Sequence, residues 1–115
     1  MQVVRAAVAL AVLLLTASAA MCAADVDRGR VLVEQFGCAA CHAIPGVRGA
    51  NGEVGPPLTA MGRRVYIAGV LPNTRDAMVR WLRDPPAINP RTAMPSVGLS
   101  EAQAQDVAAF LATLK

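Results

Sequence analysis

The stretch Cys38-Ala39-Ala40-Cys41-His42 decides how this 115-residue chain is read. Two thiols stand three residues apart, close enough to share one turn, and an imidazole follows the second directly. His42 is also the only histidine in the chain. A tetrahedral zinc site would need two further ligands, and the sequence has neither a second C-x-x-C nor a second histidine. A thioredoxin-like dithiol would need a βαβ surround that the downstream sequence does not offer. A plain disulfide would leave the adjoining imidazole without a role. The lone histidine further excludes centres that take two histidines from one chain, and with them most zinc enzymes and every bis-histidine metal site.

The chemistry that uses all three residues is covalent attachment of one haem c. Each thiol can form a thioether with a haem vinyl group, and the adjoining imidazole then rises under the iron as its proximal ligand. The opposite iron face can be approached by elimination. The histidine is spent and the only lysine is the terminal Lys115, so the strong-field candidates are the thioethers of Met61, Met78 and Met94. Met78 falls on one helical face with Trp81 and Leu82, which is a core pattern. Met61, just ahead of Tyr66-Ile67-Ala68, reads as packing. Met94 lies in Asn89-Pro90-Arg91-Thr92-Ala93-Met94-Pro95, where prolines on both sides stiffen a loop and keep it from becoming a helix. A rigid loop suits a thioether held against iron, so the expected axial pair is His42 and Met94. An open sixth position, as in a peroxidase or a ligand sensor, is the alternative, but no second histidine is present to serve as a distal base.

Outward from the motif, the N-terminal side bears on the compartment. Arg5 precedes an uncharged run from Ala6 to Ala24, densest in apolar residues at Val8 to Leu15 and rich in small residues from Ala17. Residues 1–24 are read as a secretory signal peptide and residues 25–115 as the domain. Cleavage after Ala23 or Ala24 would remove Cys22, and cleavage after Ala19 would keep it. A retained leader would be just long enough to anchor the domain to a membrane. A lipidated Cys22 is disfavoured by the bulk of Met21. All these readings export the domain, and the expected location is the periplasm, where bacterial haem attachment of this kind takes place. The chain is 55% apolar, but much of that lies in the leader, and the body is ordinary globular sequence with few aromatic residues. A net charge of +3 without a basic block gives no reason to expect nucleic acid.

The body reads as all-α, with three to five helices wrapped around the haem. One helix is expected over Asp27 to Phe36, ending at Gly37 beside the haem motif. Gly55-Pro56-Pro57 must be loop. A second helix should run from Asn73 or Thr74 to Asp84 and stop at Pro85-Pro86. A third should start at Ser100, where Ser100 and Gln103 form a capping box and Val107, Phe110, Leu111 and Leu114 make an apolar face. No alternating strand pattern appears. A body of this size has a marginal core, which the apolar haem plate would complete.

The order of these features resembles a class I c-type cytochrome across residues 27–114. The haem motif is followed by Gly55-Pro56-x-Leu58, an arginine, a helix bearing Trp81, the Ala93-Met94-Pro95 loop and an amphipathic C-terminal helix. The resemblance implies that Pro56 presents its carbonyl to the Nδ1 hydrogen of His42, and that Arg64, or its neighbour Arg63, approaches a haem propionate. It implies that Trp81 meets a propionate or the haem edge, and that Gly29 lets the first and last helices cross against Phe110. Val33 departs from the pattern, since relatives often carry an aromatic residue there. Ile67-Ala68-Gly69, Leu71-Pro72-Asn73-Thr74 and Trp81-Leu82-x-Asp84-Pro85 are also similar to the cytochrome c domains that are fused to, or work with, bacterial terminal oxidases. The function implied is one-electron transfer between redox protein partners by a monomer. A terminal oxidase is a candidate partner, as is membership of a larger membrane-bound complex, with membrane contact only if the leader is retained. Arg63, Arg64, Arg75, Arg80, Arg83 and Arg91 form an arginine-rich segment that could steer docking to an acidic partner.

Overall fold

The computed structural model describes residues 23–115. The expected leader, with its candidate cuts and Cys22, lies outside the described residues except for Ala23 and Ala24. Among the described residues, four helices and one short hairpin follow in order: α1 (Val26–Gln35), β1 (Tyr66–Ile67), β2 (Leu71–Pro72), α2 (Arg75–Arg83), α3 (Pro85–Ile88) and α4 (Glu101–Ala112). Single 3-10 turns lie at Cys38–Ala40 and Met61–Arg63.

Each long helix begins where a short polar side chain can accept an otherwise unpaired first-turn N–H. Asp25 accepts from Arg28 N–H at 2.9 Å, and Thr74 accepts from Ala77 N–H at 3.1 Å. Ser100 accepts from Gln103 N–H at 3.2 Å, while the Gln103 amide oxygen accepts from Ser100 N–H at 2.9 Å, which closes the expected capping box.

Two details differ from the sequence reading. The segment after Asp84 does not pass straight into loop: Pro85 and Pro86 occupy the first positions of α3. Proline has no N–H to satisfy and its φ is already helical, so a helix start tolerates what a helix interior would not. The second difference is the hairpin, in which Tyr66 pairs with Pro72 and Ile67 with Leu71. Its turn places Ala68 (φ 51°) and Gly69 (φ 71°) in the left-handed region, closed by Val70 N–H donating to the Ile67 carbonyl at 3.0 Å. Strands of two residues are too short to show alternation. The architecture is otherwise all-α.

The core joins α1, α2 and α4. Leu32 and Val33 from α1, Met78, Trp81 and Leu82 from α2, and Val107, Phe110 and Leu111 from α4 are all buried. Helices α1 and α4 cross with Gly29 at the contact, where a Cβ would fall inside the Asp106 carbonyl and 3.0 Å from Phe110 Cβ. Val33 is 1% exposed, so the smaller side chain is fully enclosed at this crossing. The crossing is braced by Asp106, a buried carboxylate that accepts from the Asp25 N–H at 2.8 Å and from Arg28 Nε at 2.5 Å. The Arg28 guanidinium holds the Asp106 carboxyl below the usual carboxylate range, against the upward push of its burial.

Candidate haem site

Helix α1 ends at Phe36, and Gly37 (φ 72°) turns the chain into the Cys38–Ala40 3-10 turn. That turn is closed by Cys41 N–H and His42 N–H, both donating to the Cys38 carbonyl at 3.2 and 3.0 Å. The two thiols and the imidazole therefore leave one tight turn, half-buried, with Cys38 and Ala39 packed against the edge of the core. Both thiols are free. Burial pushes the Cys38 thiol above its ordinary value.

The return loop is stitched onto this turn. Gly55 N–H donates to the Cys41 carbonyl at 2.7 Å and Leu58 N–H to the Ala43 carbonyl at 2.9 Å, with a bridge between Ala43 and Asn51 beneath them. Glycine is required twice here. A Cβ at Gly52 would meet the Cys41 and His42 backbone nitrogens at 2.7 and 2.6 Å, and one at Gly55 would press into the His42 ring, 2.8 Å from Nδ1. The loop lies flat against the imidazole because these side chains are missing.

That packing delivers the Pro56 carbonyl to within 2.7 Å of His42 Nδ1. A carbonyl can only accept, so Nδ1 carries the proton and Nε2 keeps its lone pair. An imidazole in this tautomer, held by a second group, is ready to bind a metal through Nε2. Among the described residues no cluster of three or more His, Cys, Asp or Glu side chains could hold a metal ion. The donor set is two free thiols and one oriented imidazole, which fits a haem bound through thioethers and one nitrogen and does not fit zinc.

The family model described as "Cytochrome c" matches residues 26–115. The chain belongs to the cytochrome c family. Cytochrome c oxidase subunit 2 of Alkalihalophilus pseudofirmus is 34% identical over 90 residues, covering 77% of this chain and 25% of that protein. Cytochrome c oxidase subunit 2 of Bacillus sp. (strain PS3) is 33% identical over 82 residues, 68% of this chain and 23% of that protein. The Bacillus subtilis subunit 2 is 28% identical over 92 residues, 76% of this chain and 26% of that protein. The chain thus spans about a quarter of the length of the curated relatives it matches. Family membership carries a covalent haem c, attached through Cys38 and Cys41, and electron transfer through it.

The structure places the other expected residues of this cytochrome c domain as follows. Arg64 is half-buried, and its guanidinium donates to the Pro57 carbonyl and to the Thr59 carbonyl at 2.8 Å. It therefore grips the loop that carries Pro56, a task the sequence does not advertise, whereas Arg63 is exposed. Arg64 is itself held, since its carbonyl and that of Met61 accept from the Asn73 amide at 2.8 and 2.9 Å. Nothing in the sequence around Asn73 signals this side-chain role. Trp81 is 6% exposed and lies in the core. Met61 and Met78 are equally buried and line a cavity of about 100 Å³ with Ala108 and Leu111, as packing residues would. Met94 is half-buried at the core's edge in a non-helical loop, its N–H donating to Thr92 Oγ1 at 3.2 Å. Among the described residues no helix is long and apolar enough to cross a membrane.

Proposed function

We propose that the domain is a periplasmic one-electron carrier of a respiratory or related chain, with His42 and Met94 as the axial ligands of its haem. When bound, the haem would supply an iron that cycles between ferric and ferrous states. The observation that carries this reading is the 2.7 Å contact between His42 Nδ1 and the Pro56 carbonyl. It holds the imidazole in one tautomer and one orientation, which keeps reorganisation small when an electron arrives or leaves. The choice of Met94 as second ligand rests on elimination and is supported by burial: Met61 and Met78 are committed to the core, while Met94 sits in a loop at its edge. A neutral thioether raises the reduction potential. Pro56 orients His42 and Arg64 secures the Pro56 loop; by resemblance to the family, Arg64 would also approach a propionate and Trp81 would meet a propionate or the haem edge. The exposed guanidinium groups of Arg63, Arg75, Arg80, Arg83 and Arg91 support a small, transient, salt-sensitive interface with an acidic redox partner.

The names of the relatives favour a second reading, in which the domain is the haem-bearing part of a larger membrane-bound oxidase. Fractionation separates the two. A carrier is released with the periplasmic contents, and a complex subunit stays with washed membranes together with oxidase activity. The axial assignment is tested by absorption spectra of the ferric holoprotein. Met94→Ala should lose the weak far-red band of methionine-ligated ferric haem, and an unchanged spectrum overturns the assignment.

A further inference from the structure

The loop that carries Met94 is shaped by its own residues, and among the described residues a single hydrogen bond ties it to another element. Thr92 N–H donates to the Asn89 carbonyl at 3.0 Å, Arg91 N–H to Asn89 Oδ1 at 3.1 Å, and Met94 N–H to Thr92 Oγ1 at 3.2 Å. Each of these spans at most three residues, so they set the local turn and not its place on the domain. Between Ala93 and Leu99, the only hydrogen bond among the described residues that reaches another element is from Ser96 Oγ–H to Asp84 Oδ1, at 2.8 Å and twelve residues apart.

Asp84 is a firm post for that tether. It ends α2, donating its N–H to the Arg80 carbonyl at 3.3 Å, and begins α3, accepting from Ala87 N–H at 3.4 Å. The next two residues are Pro85 and Pro86, whose ring-locked φ angles stiffen the exit, and Pro85 is buried. Trp81 and Leu82, just before it, are anchored in the core. On the other side, Ser96 stands two residues beyond Met94 with one proline, Pro95, between them. A displacement of Ser96 is therefore passed to Met94 through a short, stiff segment.

We infer that Asp84 and Ser96 form a clasp that closes the 84–96 loop and positions the Met94 thioether, which makes both of them positioning residues for the electron carrier. The inference builds on Met94 as an axial ligand, the reading given under Proposed function. Its physical content is an effective concentration: with the clasp closed, the thioether is held near the iron, and with it open the same loop samples a wider volume and competes less well with an external ligand.

The test is a titration of the ferric holoprotein with imidazole, followed by the far-red band that methionine ligation gives and imidazole removes. Ser96→Ala removes the clasp and leaves the cap on α3 untouched, and it should bind imidazole roughly three- to tenfold more tightly than the parent, the range expected for one hydrogen bond between exposed side chains. Asp84→Ala should show at least the same gain, and the double variant should gain no more than Asp84→Ala alone. Ser96→Thr, which keeps the hydroxyl, should stay with the parent. Faster amide hydrogen exchange at residues 92–97 in Ser96→Ala, with the global unfolding midpoint unchanged, is the second expected readout. Parental imidazole affinity in Ser96→Ala, or a double variant whose gain is the product of the two single gains, overturns the clasp. A parent that lacks the far-red band, or a Met94→Ala variant that keeps it, overturns the axial reading instead, so the two failures are told apart.

Discussion

The Pro56 carbonyl oxygen lies 2.7 Å from His42 Nδ1, and this one contact fixes the tautomer and orientation of the histidine in the attachment motif. It depends on a missing side chain, because Gly55 lies flat on the imidazole and a Cβ there would stand 2.8 Å from Nδ1. Gly55→Ala should lengthen the contact and make the imidazole less basic, which favours ferrous iron. The reduction potential should rise by about 20–60 mV, at most about a tenfold change in the Fe(II)/Fe(III) preference. Pro56→Ala keeps the carbonyl and should shift the potential less. Potentiometric titration of the three proteins checks the order, and a larger shift in Pro56→Ala would contradict it.

Arg64 and Arg63 are neighbours in sequence with different work. Arg64 donates to the carbonyls of Pro57 and Thr59, whereas Arg63 is exposed. Arg64→Ala should destabilise the domain by about 1–2 kcal/mol, a fall in Tm of roughly 4–16 °C for a domain of this size. Arg64→Lys should recover only part of that loss, because an ammonium lacks the planar fork. Arg63→Ala should leave Tm unchanged. Thermal unfolding of the holoprotein measures all three.

Asp106 ties stability to pH. Its carboxyl is held low in the fold by Arg28, so its contribution is fully present above the ordinary carboxylate value of about 3.9 and is lost as pH falls through the lower folded value. The Tm of the parent should therefore fall more steeply below about pH 4 than that of Asp106→Asn, which starts lower and depends less on acid. A parent and variant with parallel Tm profiles from pH 6 to pH 3 would refute the linkage.

Gly29→Ala tests the helix crossing. The added methyl would fall on the Asp106 carbonyl and against Phe110, so α1 and α4 must separate. The expected cost is about 1–3 kcal/mol, seen as a lower urea midpoint with an unchanged slope. Substitution at Gly46 (φ 77°), where a Cβ would meet nothing within 4 Å, serves as a control for backbone strain without overlap.

Attachment itself is checked by Cys38→Ala with Cys41→Ala. Haem should be fully extractable with acidified acetone from any holoprotein the variant forms, while the parent retains it. Retention by the variant would refute thioether bonding.

The sequence alone determined what depends on short spacing: Cys38, Cys41 and His42 on one turn, the Ser100/Gln103 box, the helix starts near Asp27 and Thr74, and the stiff loop around Met94. These are interactions over one to four residues, and residue type at fixed intervals encodes them. The Pro56 contact was legible only through resemblance to the family, because nothing local in Gly55-Pro56-Pro57 says which ring lies opposite. Tertiary structure decided the rest. Asp106 lies 78 residues from Arg28, Asp84 lies 12 from Ser96, and the carbonyls that Arg64 grips belong to a loop whose path is set by bonds to Cys41 and Ala43. In each case the residue types are common surface polar groups, and they acquire a role only when the packing of α1, α2 and α4 brings their partners within hydrogen-bond reach.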